Sequence, residues 1–187
     1  LRLAEGTRLD ILIKLSGLLG LRREEIVGLQ WKHVDLTARK LEICSVRTSA
    51  GSQVITKEPK TSSSRRTLHI PDILAEALIR QKKHQEDCKA YLEDAYVDSG
   101  YVFTYEDGRP MRPNYASELF TSFIAQNHLP PLTLHGLRHS FASIASAKGI
   151  PMYDIGKALG HSSPATTSKI YTHLLDPDHK DLLDRLW

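Results

Sequence analysis

His135-Gly136-Leu137-Arg138, then Leu159-Gly160-His161-Ser162-Ser163, then Tyr171 ten residues after His161: this stretch decides how the chain is read. It holds two imidazoles, a guanidinium and a phenol at spacings that suit a site handling phosphate without a metal. A guanidinium binds phosphate oxygens through a planar, permanently charged fork. An imidazole moves protons near neutral pH. A tyrosine hydroxyl can act as a covalent nucleophile when its surroundings activate it. His135 and Arg138 stand three apart at a helix start and therefore share a face. His135 and His139 also have the i, i+4 spacing of a zinc-binding helix. Gly136 occupies the place where that motif needs glutamate, so no metal site is expected and no cofactor is implied. His139 reads as a packed neighbour supporting the site.

Working outward, the four segments 135–148, 151–159, 164–174 and 178–187 read as short helices punctuated by Gly149, Gly160 and Pro177. Upstream, Thr7 to Leu19 has helical apolar spacing, and a second helix is expected from Arg23 to Gln30. The pattern then changes to alternation. Leu41, Ile43 and Val46 predict one strand, Val54-Ile55 a second, and Thr67-Leu68-His69-Ile70 a third, around the turn chemistry of Ser49 to Ser52. Pro71 opens a long charged helix to about Tyr91, and Pro113 another to about Asn127. The fold class is α+β, mainly α-helical with a small three-stranded antiparallel sheet. The chain reads as one domain, 1–187.

Two distant segments add cations. Arg22 stands at the mouth of the second helix, where backbone amides already favour anions, and Glu25 can orient it or cap the helix. The loop Lys57-Glu58-Pro59-Lys60-Thr61-Ser62-Ser63-Ser64-Arg65-Arg66 carries four cationic residues against one acidic one. It predicts a basic finger at the tip of the sheet, with Lys57, Arg65 and Arg66 placed for DNA. An ammonium such as that of Lys60, set beside a phosphodiester, could protonate a leaving oxygen. The net charge of +3 is compatible with nucleic acid without establishing it. Cys44 and Cys88 fit no metal-ligand spacing and predict reduced thiols in a cytoplasmic protein. The apolar run from Ile11 to Leu21 is too short to span a bilayer.

In order and nearly throughout, the chain resembles the catalytic domain of tyrosine recombinases, the family of phage and transposon integrases and chromosome-dimer resolvases. Gly-Leu-Arg-Arg-Glu-Glu-Ile-Val-Gly-Leu-Gln-Trp around Arg22 resembles the family's first arginine box. Lys60 in Pro-Lys-Thr-Ser matches its β-hairpin lysine, and His135 and Arg138 match its His-x-x-Arg box. His161 and Tyr171 match the last two members. Leu19 departs from the Thr that often precedes Gly-Leu-Arg. The resemblance implies attack by Tyr171 on a phosphodiester of double-stranded DNA, giving a 3′-phosphotyrosyl link. Arg22 and Arg138 would then hold the non-bridging oxygens, Lys60 protonate the 5′-oxygen, His135 accept the tyrosine proton, and His161 donate a hydrogen bond to the phosphate. It also implies a homotetramer on DNA. The apolar stripe Leu182, Leu183, Leu186 and Trp187 is expected to dock onto a neighbouring protomer. The first residue is Leu rather than Met, so N-terminal DNA-binding domains are expected outside this chain. The rival reading is a regulator that binds DNA without catalysis, using Gly149 to Gly160 and Ser162 to Thr167 as a helix-turn-helix. It leaves Arg22, the hairpin and the His-x-x-Arg box idle.

Overall fold

The computed structural model describes residues 2–51, 53–59 and 64–161. Lys60, Tyr171, the two expected helices after His161 and the C-terminal stripe lie outside the described residues. So does the second helix of the helix-turn-helix reading.

Helix α1, Leu9–Leu19, is buried on nearly every side, as its almost unbroken apolar sequence requires. Lys14 interrupts that run yet is itself buried, with its Nζ 2.6 Å from Asp10 one turn back. Ile11, Leu12 and Leu15 lie at the centre of a core that also takes Leu21, Ile26, Phe103 and Phe120. Gly20 ends α1 in the left-handed region (φ 65°), and its amide closes back on the Ser16 carbonyl at 3.0 Å. A Cβ at Gly20 would lie 2.6 Å from Leu159 Cδ2 and 2.8 Å from Phe141, so both the backbone and the packing demand glycine.

Helix α2 is shorter than the sequence suggests, Arg23–Ile26 rather than running to Gln30. The reason sits at Gly28, where a Cβ would come within 2.9 Å of Val46 Cα and 2.8 Å of the Ser45 carbonyl. Ser45 Oγ donates to the Gly28 carbonyl at 2.7 Å. The chain therefore leaves the helix to pack backbone against backbone.

The sheet also differs in its pairing. Strands β1 (Val34–Asp35), β2 (Lys40–Ile43) and β5 (Arg66–His69) form an antiparallel sheet in the order β1-β2-β5. Strands β3 (Val46–Ala50) and β4 (Gln53–Lys57) form a separate two-stranded ribbon. The expected single strand from Leu41 to Val46 is broken at Cys44-Ser45. Parity explains the break: Leu41 and Ile43 point into the core, and Val46 has the opposite parity, so one flat strand cannot bury all three.

Helix α3 (Asp72–Leu92) buries Leu74, Ala75, Ala77 and Leu78 in its first half and leaves its charged second half in solvent. Helices α4 (Pro113–Gln126), α5 (Leu134–Ala147) and α6 (Met152–Leu159) fall within a residue of their expected limits. Helix α5 packs along α1, and Ser16 Oγ donates to the Leu134 carbonyl at 3.0 Å. Thr133 caps α5, its Oγ1 accepting from the Gly136 amide at 2.9 Å. No described helix is long and apolar enough to cross a membrane.

Candidate active site

The site is assembled where three helix ends meet. The left-handed turn at Gly20 delivers Arg22 as the N-cap of α2. The Arg22 amide donates to Glu25 Oε2 at 2.8 Å, one half of a capping box. Its Nη1 donates to Glu25 Oε1 at 2.9 Å, and its side chain stays 36% exposed. Glu25 is only 1% exposed and takes a second guanidinium, that of Arg66, at 2.9 and 3.0 Å. Burial pushes the Glu25 carboxyl up, but the hydrogen bonds and charge of Arg66 and Arg22 outweigh it, and the net shift is downward. Glu25 therefore stays ionised and fixes two cations.

Arg138 comes from the second turn of α5 and is buried. Its Nη1 donates to the Gly20 carbonyl, and its Nη2 to the Leu159 carbonyl at 2.8 Å. One guanidinium thus ties the C-terminus of α1 to that of α6. Helix α6 ends at Gly160 in the left-handed region (φ 67°). The Gly160 amide bonds the Lys157 carbonyl at 3.0 Å, and the His161 amide bonds the Gly156 carbonyl at 2.9 Å. This closure is a Schellman motif, and it aims His161 back at Arg138. His161 Nε2 lies 3.0 Å from Arg138 Nη2. A guanidinium can only donate, so Nε2 accepts and the ring proton sits on Nδ1. Burial, reinforced by the charges of Arg138, Arg22, Arg66 and His139, lowers the His161 pKa to about 4. At neutral pH His161 is an uncharged ring that carries its proton on Nδ1.

His135 is exposed, and its ring meets His139 edge to face with centroids 4.4 Å apart. Together with Arg22, Arg138, Thr133 and Ser117 it lines an open cleft of about 480 Å³. The structure thus gathers five residues singled out in the sequence: Arg22, Glu25, His135, Arg138 and His161, with His139 beside them. It does not place Arg66 where the sequence suggested. Its side chain is 7% exposed and turned inward onto Glu25 rather than outward with the basic loop. Strand parity carried that signal, since Arg66 shares a face with Leu68, which faces the core, and not with exposed Arg65 and Thr67. Lys57 and Arg65 are exposed, as expected of DNA contacts. The carbonyls at the end of α6 are invisible to sequence reasoning, because a backbone acceptor leaves no trace in residue type.

Cross-strand pairing also gathers a group that spacing along the chain concealed. His33 immediately precedes β1, Glu42 lies in its antiparallel neighbour β2, and Cys44 follows β2. One ligand atom from each of the three lies within 4.8 Å of the others, close enough to hold a metal ion. Burial, with Glu42 beside it, pushes the Cys44 thiol up. None of the three lines the cleft.

The fold is that of a tyrosine recombinase catalytic domain. The chain belongs to the phage integrase family, whose model matches residues 3–177. It is 30% identical over 196 residues to a XerC-like tyrosine recombinase of Caldanaerobacter subterraneus, covering 97% of this chain and 50% of that protein. It is 32% identical over 169 residues to the ICEBs1 integrase of Bacillus subtilis, covering 90% of this chain and 46% of the other. The Tn1549 transposon integrase, solved in complex with circular intermediate DNA, superposes with a TM-score of 0.76 at 25% identity, over 95% of this chain and 59% of that one. The chain spans about half the length of the curated relatives it matches.

Proposed function

We propose that this chain is the catalytic domain of a site-specific recombinase of a mobile element, acting on double-stranded DNA through a 3′-phosphotyrosyl intermediate. The observation that carries this reading is the convergence of two guanidiniums, Arg22 and Arg138, on one open cleft that His135 also lines, with the uncharged His161 ring 3.0 Å from Arg138. Arg22 and Arg138 hold the two non-bridging oxygens and stabilise the charge that builds on them in the pentacoordinate transition state. His161 adds a hydrogen bond from Nδ1.

Tyr171 Oη attacks phosphorus, and its proton passes to His135. The bond from phosphorus to the 5′-oxygen breaks, and Lys60 gives that oxygen a proton. A tyrosine hydroxyl ordinarily ionises near pH 10, so proton removal accompanies the attack. One phosphodiester is exchanged for another, so a 5′-hydroxyl can reverse the step without ATP or a metal ion. Lys57 and Arg65 contact the DNA backbone, and His139 holds the His135 ring. The protein is cytoplasmic and DNA-associated. It assembles as a homotetramer on DNA, with the tail around Leu182 and Trp187 docked on a neighbour, and N-terminal domains supply further DNA contacts.

The test uses nicked duplexes of randomised sequence, incubated with the whole protein and resolved under denaturing conditions. Wild type should capture a subset of sequences as a covalent adduct, and Tyr171→Phe should capture none. An adduct that persists in the Phe variant would falsify the nucleophile assignment.

A further inference from the structure

We propose that Arg66 is a positioning residue for the phosphate clamp, fixing Arg22 through Glu25 and fixing the end of α6 directly. The inference rests on the recombinase reading above. A helix leaves its last four carbonyls without partners inside the helix. In α6 each of the four has an identified donor. Gly156 and Lys157 receive the His161 and Gly160 amides. Ala158 receives Arg66 Nε at 2.7 Å, and Leu159 receives Arg138 Nη2 at 2.8 Å. The next carbonyl along, that of Gly160, faces Arg22 Nη2 at 3.4 Å. Three guanidiniums therefore meet three consecutive carbonyls, at the helix end where the dipole favours cations.

The three differ in what else they do. Arg22 and Arg138 line the cleft, whereas Arg66 does not. Arg66 Nη1 and Nη2 grip both oxygens of Glu25 at 2.9 and 3.0 Å, and Nη1 also donates to the Ser64 carbonyl at 3.1 Å. Four of its five N–H directions are thus committed to protein acceptors. The fork is rigid, so the position of Ala158 relative to Glu25 is set by one planar group. Glu25 in turn holds the amide and Nη1 of Arg22. Removing the fork frees Glu25 to rotate, carries Arg22 with it, and loosens the turn that aims His161.

The test is a double-mutant cycle in the whole protein, read as the single-turnover rate of adduct formation on a nicked duplex captured by wild type. Arg66→Gln should slow the reaction about 10- to 100-fold in the wild-type background and only about twofold when Arg22 is already lysine. Equal slowing in both backgrounds would mark Arg66 as a general scaffold residue and overturn the proposal. Asp10→Asn, at the far end of α1, serves as the structural control, and its effects should multiply with those of Arg22→Lys. Should Arg66→Gln not fold, Arg66→Lys keeps a charge for Glu25 but cannot fork to Ala158, and the same cycle applies. A second readout needs no cleavage. The order parameter of the Arg22 Nε–H group, measured by NMR without DNA, should fall in the Arg66 variant. An unchanged value sinks the proposal even if no duplex is ever captured, whereas capture failing with wild type counts against the recombinase reading alone.

Discussion

Two buried carboxylates, Asp10 in α1 and Glu25 in α2, are built to the same local plan. Each is held by one sealed cation and one that reaches solvent. Asp10 has Lys14 (3% exposed) and Arg80 (44%), and Glu25 has Arg66 (7%) and Arg22 (36%). The difference lies in the charges around them. Near Asp10 the extra cation is balanced, since Arg80 also comes within 4.0 Å of Glu5, and neighbouring Arg8 pairs with Glu106 at 2.7 Å. Near Glu25 a third guanidinium, Arg138, arrives with carbonyls and an uncharged imidazole for company. Arg23 is offset by Glu24 at 2.7 Å. Among the described residues one carboxylate thus faces three guanidiniums, two of which, Arg22 and Arg138, line the open cleft. The first arrangement holds a fold together, and the second is also the one that the proposed phosphate site would need.

Arg138 is the member with no counterpart at the Asp10 end, and its loss should produce the largest effect. Arg138→Met should slow adduct formation by about 10²–10³-fold, the scale for removing a transition-state donor. It also leaves the Gly20 and Leu159 carbonyls unserved, at about 1–3 kcal/mol each. Rate and denaturant midpoint should therefore fall together, and a variant with normal rate would remove Arg138 from the clamp.

The comparison itself is tested by neutralising each carboxylate. Asp10→Asn and Glu25→Gln should each cost about 3–5 kcal/mol of folding stability by stranding buried cations. Only Glu25→Gln should also slow adduct formation under conditions where both variants are folded, by about tenfold or more. If both variants slow it equally, the two ends of α1 do not differ in the way their charges suggest.

A smaller effect follows from pH. The folded chain holds His161 neutral down to about pH 4, whereas an unfolded histidine takes a proton near 6.5. Between those values the unfolded state binds the extra proton, so stability is full above about pH 6.5 and declines as pH falls toward 4. His161→Gln should flatten that part of the unfolding free-energy profile. Below the ordinary carboxylate range the lowered Glu25 adds a further loss of the same sign, which His161→Gln leaves in place.

Much of this is legible in the sequence. The helices were readable because Pro71, Pro113, Gly149 and Gly160 punctuate strong apolar periodicity. Arg22, His135, Arg138 and His161 were readable because their chemistry is scarce and ordered along the chain. What stayed hidden belongs to tertiary pairing. Gly28 stops α2 for a backbone contact with Val46, eighteen residues away. The split of the strand at Cys44-Ser45 and the inward turn of Arg66 both follow from parity, a signal present in the sequence but weaker than the pull of a basic loop. The carbonyl cluster of α6 could not be read at all, since it depends on where three arginines arrive from three different segments.

Lys57, Arg65 and Arg66 provide the finest discrimination, because they sit in one basic run and the structure divides them. Lys57 and Arg65 lie on the solvent side, and the contact between Arg65 and Glu58 is loose at 3.8 Å with both groups largely exposed. An exposed pair of that kind contributes little to stability. Lys57→Gln and Arg65→Gln should therefore leave the melting temperature within a degree or two while weakening DNA binding a few-fold. Each should lower the slope of log affinity against log salt by about one, as for the loss of one phosphate contact. Arg66→Gln should do the reverse, lowering the melting temperature and leaving the salt slope intact, because a guanidinium committed to Glu25 and Ala158 releases no counterion from DNA. A salt slope that falls by the same amount in all three variants would return Arg66 to the DNA surface and undo the division between the sealed and the open cations of this site.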